Sequence, residues 1–169
     1  LEWPEFIGRY AAEIDEVVQA HEQSRLRVGY RTIRDLHYLD WRYGSHPDVR
    51  YGVHALAGDS GRLDGFLVAR SARGARGLTA LVLTEVFVRE PSTRSLRRLL
   101  RSAMRASGGD YWMAHARKGT LEHAALRRSG FVHAPGRGYT WTALPLRDDI
   151  PDPTRPDAWD LTLGEMEIF

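Results

Sequence analysis

The run from Leu78 to Val88, Leu-Thr-Ala-Leu-Val-Leu-Thr-Glu-Val-Phe-Val, constrains the fold more than any other part of this chain. It is long, dominated by leucine and valine, and lacks strict polar alternation, which predicts a central strand buried on both faces. A strand of that kind needs packed layers above and below it. Turn-forming residues at 74–77 precede it, and Pro91-Ser92-Thr93 follow. Leu96, Leu99, Leu100, Ala103 and Met104 then recur at helical spacing with arginines between them. The strand is therefore expected to run into an amphipathic helix that ends at Ser107-Gly108-Gly109.

The other elements fall around this unit. Phe6, Ile7, Tyr10, Ile14, Val17 and Val18 predict a helix from near Trp3 to about His21, with Pro4 in its first turn. A second helix is expected over 32–43, with Ile33, Leu36, Leu39 and Tyr43 on one face and Thr32 and Asp35 as a capping box. Residues 50–56 and 62–70 read as the strands of an antiparallel hairpin around a Gly- and Asp-containing turn. Beyond the amphipathic helix, 111–116 reads as a strand, 120–128 as a short helix ended by Gly130, and 131–134 and 139–146 as two more strands. The predicted order is α-α-β-β-β-α-β-α-β-β. Residues 147–153 read as a polar linker. The apolar residues Trp159, Leu161, Leu163, Ile168 and Phe169 read as a tail that docks on this domain or on a neighbouring one.

Composition narrows the function classes. A chain of 169 residues with 43% hydrophobic content suits one domain, 1–146, followed by the linker and tail over 147–169. With no cysteine, thiolate metal sites, disulfides and a cysteine nucleophile are excluded, and a cytoplasmic location is expected. No apolar run reaches membrane-spanning length, so no membrane insertion is expected. Lys118 is the only lysine, and the net charge is +2. Arg94, Arg97, Arg98, Arg101 and Arg105 form the only dense basic cluster and lack interleaved aromatics, so a nucleic-acid partner is not expected. The preference for arginine reads as codon usage in a GC-rich genome. The seven histidines show no metal-ligand spacing, and nucleotide-binding fingerprints are absent. No metal is expected.

The element order, with its hairpin, long strand, helix, further strand and short helix ending in Ser129-Gly130-Phe131, resembles the Gcn5-related N-acetyltransferase family over about 32–146. Tyr38-Leu39-Asp40-Trp41-Arg42-Tyr43 with His46-Pro47, and Trp159-Asp160-Leu161-Thr162-Leu163-Gly164, are similar to acetyltransferase-like domains of bacterial proteins, some linked to envelope or polysaccharide biosynthesis. The resemblance implies an α/β fold with a mixed, mostly antiparallel central sheet flanked by helices. It implies acetyl-CoA, or another acyl-CoA, as cofactor. Backbone at Val86, Phe87 and Val88 would pair with the pantetheine arm, and the loop and helix start at Arg94, Ser95, Leu96 and Arg97 would hold the pyrophosphate. The family's glycine signature is missing: Arg94 and Leu96 stand where its glycines would lie.

The resemblance also implies direct attack of an amine on the thioester. Glu85 stands where family members often carry a proton-accepting carboxylate, and the competing reading is a strand acid facing solvent or paired with an arginine. The family's thiolate-protonating tyrosine aligns with Leu126 and its asparagine partner with Gly119, neither of which can do that chemistry. His115 and Tyr111 are the substitutes, His115 being the catalytic candidate. Tyr38, Trp41 and Arg42 are the candidate substrate residues, with packing of the helix on the sheet as the competing reading. The expectation is an acyl-CoA-dependent N-acyltransferase acting on a small-molecule or sugar-linked amine. The alternative is a catalytically degenerate binding or scaffolding domain of the same fold, working with a neighbouring domain or as a homodimer.

Overall fold

The computed structural model describes residues 1–25, 29–134 and 143–166. The strand over the apolar run is β4 (Thr79–Val88), and it lies inside a four-stranded sheet ordered β2-β3-β4-β5. The partners are β2 (Gly52–Ala57), β3 (Leu63–Arg73) and β5 (Tyr111–Ala114). Strand β3 runs antiparallel to both β2 and β4, and β5 lies parallel to β4 after the crossover through α3 (Thr93–Ala106). The fold is mixed α/β with a mostly antiparallel central sheet flanked by helices.

Each face of the sheet has its own core. On one side α1 (Trp3–Ser24) buries Trp3, Phe6, Tyr10, Ile14 and Val17 against Phe66, Val68 and Phe87. On the other, Leu96, Leu99, Leu100 and Ala103 of α3 and Ala125 and Leu126 of α4 (Leu121–Arg128) meet Leu67, Leu83 and Val88. α3 begins where Ser92 caps it, its hydroxyl accepting from the Ser95 amide, and α4 is capped likewise by Thr120.

Three expectations change. The second helix does not start at Thr32: α2 (Leu36–Leu39) is capped by Asp35, whose Oδ1 accepts from the Tyr38 amide at 2.7 Å, and it continues into a π-helical turn, Asp40–Gly44. Ile33 is consequently 80% exposed while Arg34 is buried. Residues 131–134 are irregular rather than a strand. The strand expected at 139–146 lies partly outside the described residues, and 143–146 is irregular. The chain instead adds a small parallel pair, β1 (Tyr30–Arg31) with β6 (Trp159–Asp160), followed by a helical turn, α5 (Leu163–Met166). Trp159 stacks on Tyr30 at 4.4 Å and donates to the Pro153 carbonyl. The tail thus docks on this domain, while Ile168 and Phe169 lie outside the described residues. Among the described residues, no helix is long and apolar enough to cross a membrane.

Candidate functional site

β4 and β5 pair from Ala80↔Tyr111 to Leu83↔Ala114 and then part. Among the described residues, 84–88 have no strand partner on that side. The fork coincides with a bulge: Val68 pairs with Glu85 but Ala69 pairs with Leu83, leaving Thr84 as the extra residue. Thr84 anchors the irregularity by donating to the Val68 carbonyl at 3.0 Å. Strict alternation would place Leu83, Glu85 and Phe87 on one face. The bulge leaves Leu83 in the α3 core and turns Glu85 and Phe87 toward the α1 side.

Glu85 is 1% exposed there. Its Oε1 accepts from Thr162 Oγ1 at 3.0 Å, Tyr43 OH at 3.2 Å and Arg34 Nε at 3.3 Å. Oε2 is buried and has no hydrogen-bond partner among the described residues. Burial pushes the carboxyl above its ordinary range, opposed by the charge of Arg34 and reinforced by that of Glu165. Arg34 also meets Glu165 at 2.9 Å and Glu22 at 3.4 Å, and these carboxylates raise its own pKa against the effect of burial. Arg25 lies between Glu22, Glu122 and Asp160, and His21 bonds Glu122 at 2.9 Å. Five largely buried carboxylates therefore gather around the guanidiniums of Arg25 and Arg34, with Arg31 also reaching Glu22 and Arg117 also lining the fork.

A cavity of about 20 Å³, the size of one water, occupies the fork. Glu85, His115, Leu96 and Glu122 line it, and Asp160, Leu161 and Thr162 of the tail close it. His115 is exposed on one side, and partial desolvation of its imidazole shifts its pKa down. Tyr111 is at the far end of β5, paired with Ala80.

The remaining candidates divide. Val86 and Val88 face the α3 core and Phe87 the α1 core, so their side chains are taken up by the two cores. Leu96 is fully buried, and its amide bonds the Ser92 carbonyl. The Ser95 amide is taken by the Ser92 cap. Arg94 is exposed and Arg97 half-buried near the start of α3. Burial of Tyr38, reinforced by the Glu85 and Glu165 charges, pushes its pKa up to about 12. Trp41 is 64% exposed beside it. Arg42 is buried and clamps the Gly164 carbonyl with Nε and Nη2 at 3.0 and 2.7 Å, which turns it to the tail instead of to an acceptor. Sequence reasoning missed Arg34, Tyr43, Thr162 and Glu165. The available signal was the isolated acid in an apolar strand, which demands a buried cation. Among the described residues, no three histidine or carboxylate side chains converge as metal ligands.

No family model matches the chain, and no curated protein matches it. Solved structures do. A point mutant of TTHA1254 from Thermus thermophilus superposes with a TM-score of 0.48 at 18% identity, covering 80% of this chain and 94% of that one. A point mutant of BH1408 from Bacillus halodurans gives 0.50 at 12% identity, covering 79% and 93%. At such identities a likeness extends to the fold alone.

Proposed function

We infer that the chain is an acyl-CoA-dependent N-acyltransferase of the Gcn5-related type. The observation that carries this reading is the fork: parallel strands part at Leu83 and Ala114, and a buried carboxylate with an unpartnered oxygen sits where they separate. Main chain along 84–88, which has no strand partner beyond β5 among the described residues, suits an extended amide-bearing arm, as in strand addition. Acyl-CoA supplies a thioester there. Glu85, its pKa raised by burial, takes the proton of the acceptor ammonium. The amine nitrogen would then bond the acyl carbon as the carbon–sulfur bond breaks, and the second proton that the nitrogen gives up would pass to the leaving thiolate. The closed state leaves space for one water, so turnover requires the segment Asp160–Thr162 to move away from Glu85. A melting-temperature increase with excess acetyl-CoA, together with turnover that collapses in Glu85→Gln while cofactor affinity holds, is the expected result.

A second reading, a degenerate binding or scaffolding domain, is favoured by the hydrogen bond from Thr162 to Glu85 and the clamp of Arg42 on Gly164, which close the fork with the chain's own tail. Absence of any thermal shift across several acyl-CoA thioesters decides for it.

A further inference from the structure

Charge is distributed unevenly over this protein. α3 contains Arg94, Arg97, Arg98, Arg101 and Arg105 and no acidic residue, whereas the whole chain is only +2, so the remainder is net negative. Arg94, Arg98, Arg101 and Arg105 are all exposed. Their spacing of four, three and four residues aligns them along the stripe opposite the buried leucines, over about 16 Å of helix.

Pairing distinguishes most of this stripe from six other arginines, although the exposed Arg9, Arg73 and Arg76 likewise have no ion-pair partner among the described residues. Arg25, Arg34, Arg62, Arg89, Arg147 and Arg155 each have a carboxylate partner. On α3 only Arg98 does, through Asp64. Arg94, Arg101 and Arg105 have no ion-pair partner among the described residues, and neither do the exposed Arg127 and Arg128 at the end of α4, which packs against α3. Codon usage explains arginine in place of lysine but not the absence of acids from this one element. Like charges three and four residues apart repel along a helix, a cost relieved when anions lie against it.

The shape of the surface selects the partner. The stripe offers guanidinium forks, which suit phosphate oxygens. It has no aromatic residue to stack on a base and no apolar residue to insert into a bilayer. α3 packs against β2, β3 and β4, so it lies across the sheet and does not project to enter a groove. A basic stripe of this kind, lying along the surface, can meet a planar array of phosphates.

We propose that the outer face of α3, extended by Arg127 and Arg128, docks peripherally on the phosphate headgroups of an anionic lipid bilayer. This is independent of acyl transfer. The test is co-sedimentation of the full chain with vesicles of phosphatidylglycerol and phosphatidylcholine, against pure phosphatidylcholine, at low and high salt. The protein is expected to pellet with the anionic vesicles only, and less at high salt. Arg101→Gln/Arg105→Gln should weaken partitioning roughly 30-fold, Arg127→Gln/Arg128→Gln should weaken it too, and Arg155→Gln should leave it within about two-fold. Unchanged melting curves establish that each variant is folded. Failure to pellet with anionic vesicles, partitioning indifferent to both double substitutions, or stronger binding to duplex DNA at equal phosphate concentration overturns the proposal.

Discussion

Glu85 and Glu122 are buried carboxylates in one network, yet they respond to pH in opposite ways. Burial raises Glu85, so its contribution to stability is greatest at acid pH and is lost as pH rises through the folded value. Burial also pushes Glu122 up, but the hydrogen bond from His21 and the charge of Arg25 outweigh it and hold the pKa at about 2. Glu122 therefore adds about 3 kcal/mol near neutrality, which disappears as pH falls from about 4.5 toward 2. Urea midpoints at pH 7 and pH 3 should differ less in Glu122→Gln than in the parent. Arg34 is the cation on which three acids depend, and Arg34→Met should lower stability by about 3–5 kcal/mol in equilibrium unfolding at pH 7. Glu85 was legible as an odd charge in an apolar strand. Its partners were not, because Arg34, Tyr43 and Thr162 are distant in sequence and nothing local marks them as neighbours.

At the scale of elements, period and capping carried well. The α1 stripe, the hairpin, β4, α3 and α4 lie within a few residues of where alternation and caps place them, since each is stabilised by its own neighbours. Ser92→Ala should therefore cost about 1 kcal/mol, measured by chemical denaturation, by removing the α3 cap. The bulge at Thr84 was not legible. A run of apolar residues tolerates either face, and only the pairing with β3 shows which residue is extra. The same close pairing makes Gly65 specific: a Cβ there would sit 2.7 Å from the Phe87 carbonyl oxygen, with Val88 also in the way. Gly65→Ala should destabilise by about 1–3 kcal/mol, whereas a glycine in an open turn would tolerate alanine. The expected helix start at Thr32 moved to Leu36 because Asp35 caps more effectively once Arg34 is drawn into the buried carboxylates.

For the whole molecule, the decisive event is the return of residues 159–166 to the fork. Gly164 allows it: a side-chain carbon there would run into Tyr43 OH and approach Glu85. Gly164→Val should unseat the tail, and the readout is faster tryptic cleavage after Arg147 under native conditions while the sheet stays folded. If acyl transfer is the function, the same variant should bind acetyl-CoA more tightly, since the tail no longer competes. By itself the sequence determined a two-faced strand, the helices that cover it and the positions of their caps, because hydrophobic periodicity and end-capping act over a few residues. The tertiary structure alone decided which face Glu85 takes, which cation it meets and what closes the site. Those depend on strand register and on contacts across more than a hundred residues, such as Arg42 with Gly164, that no local pattern encodes.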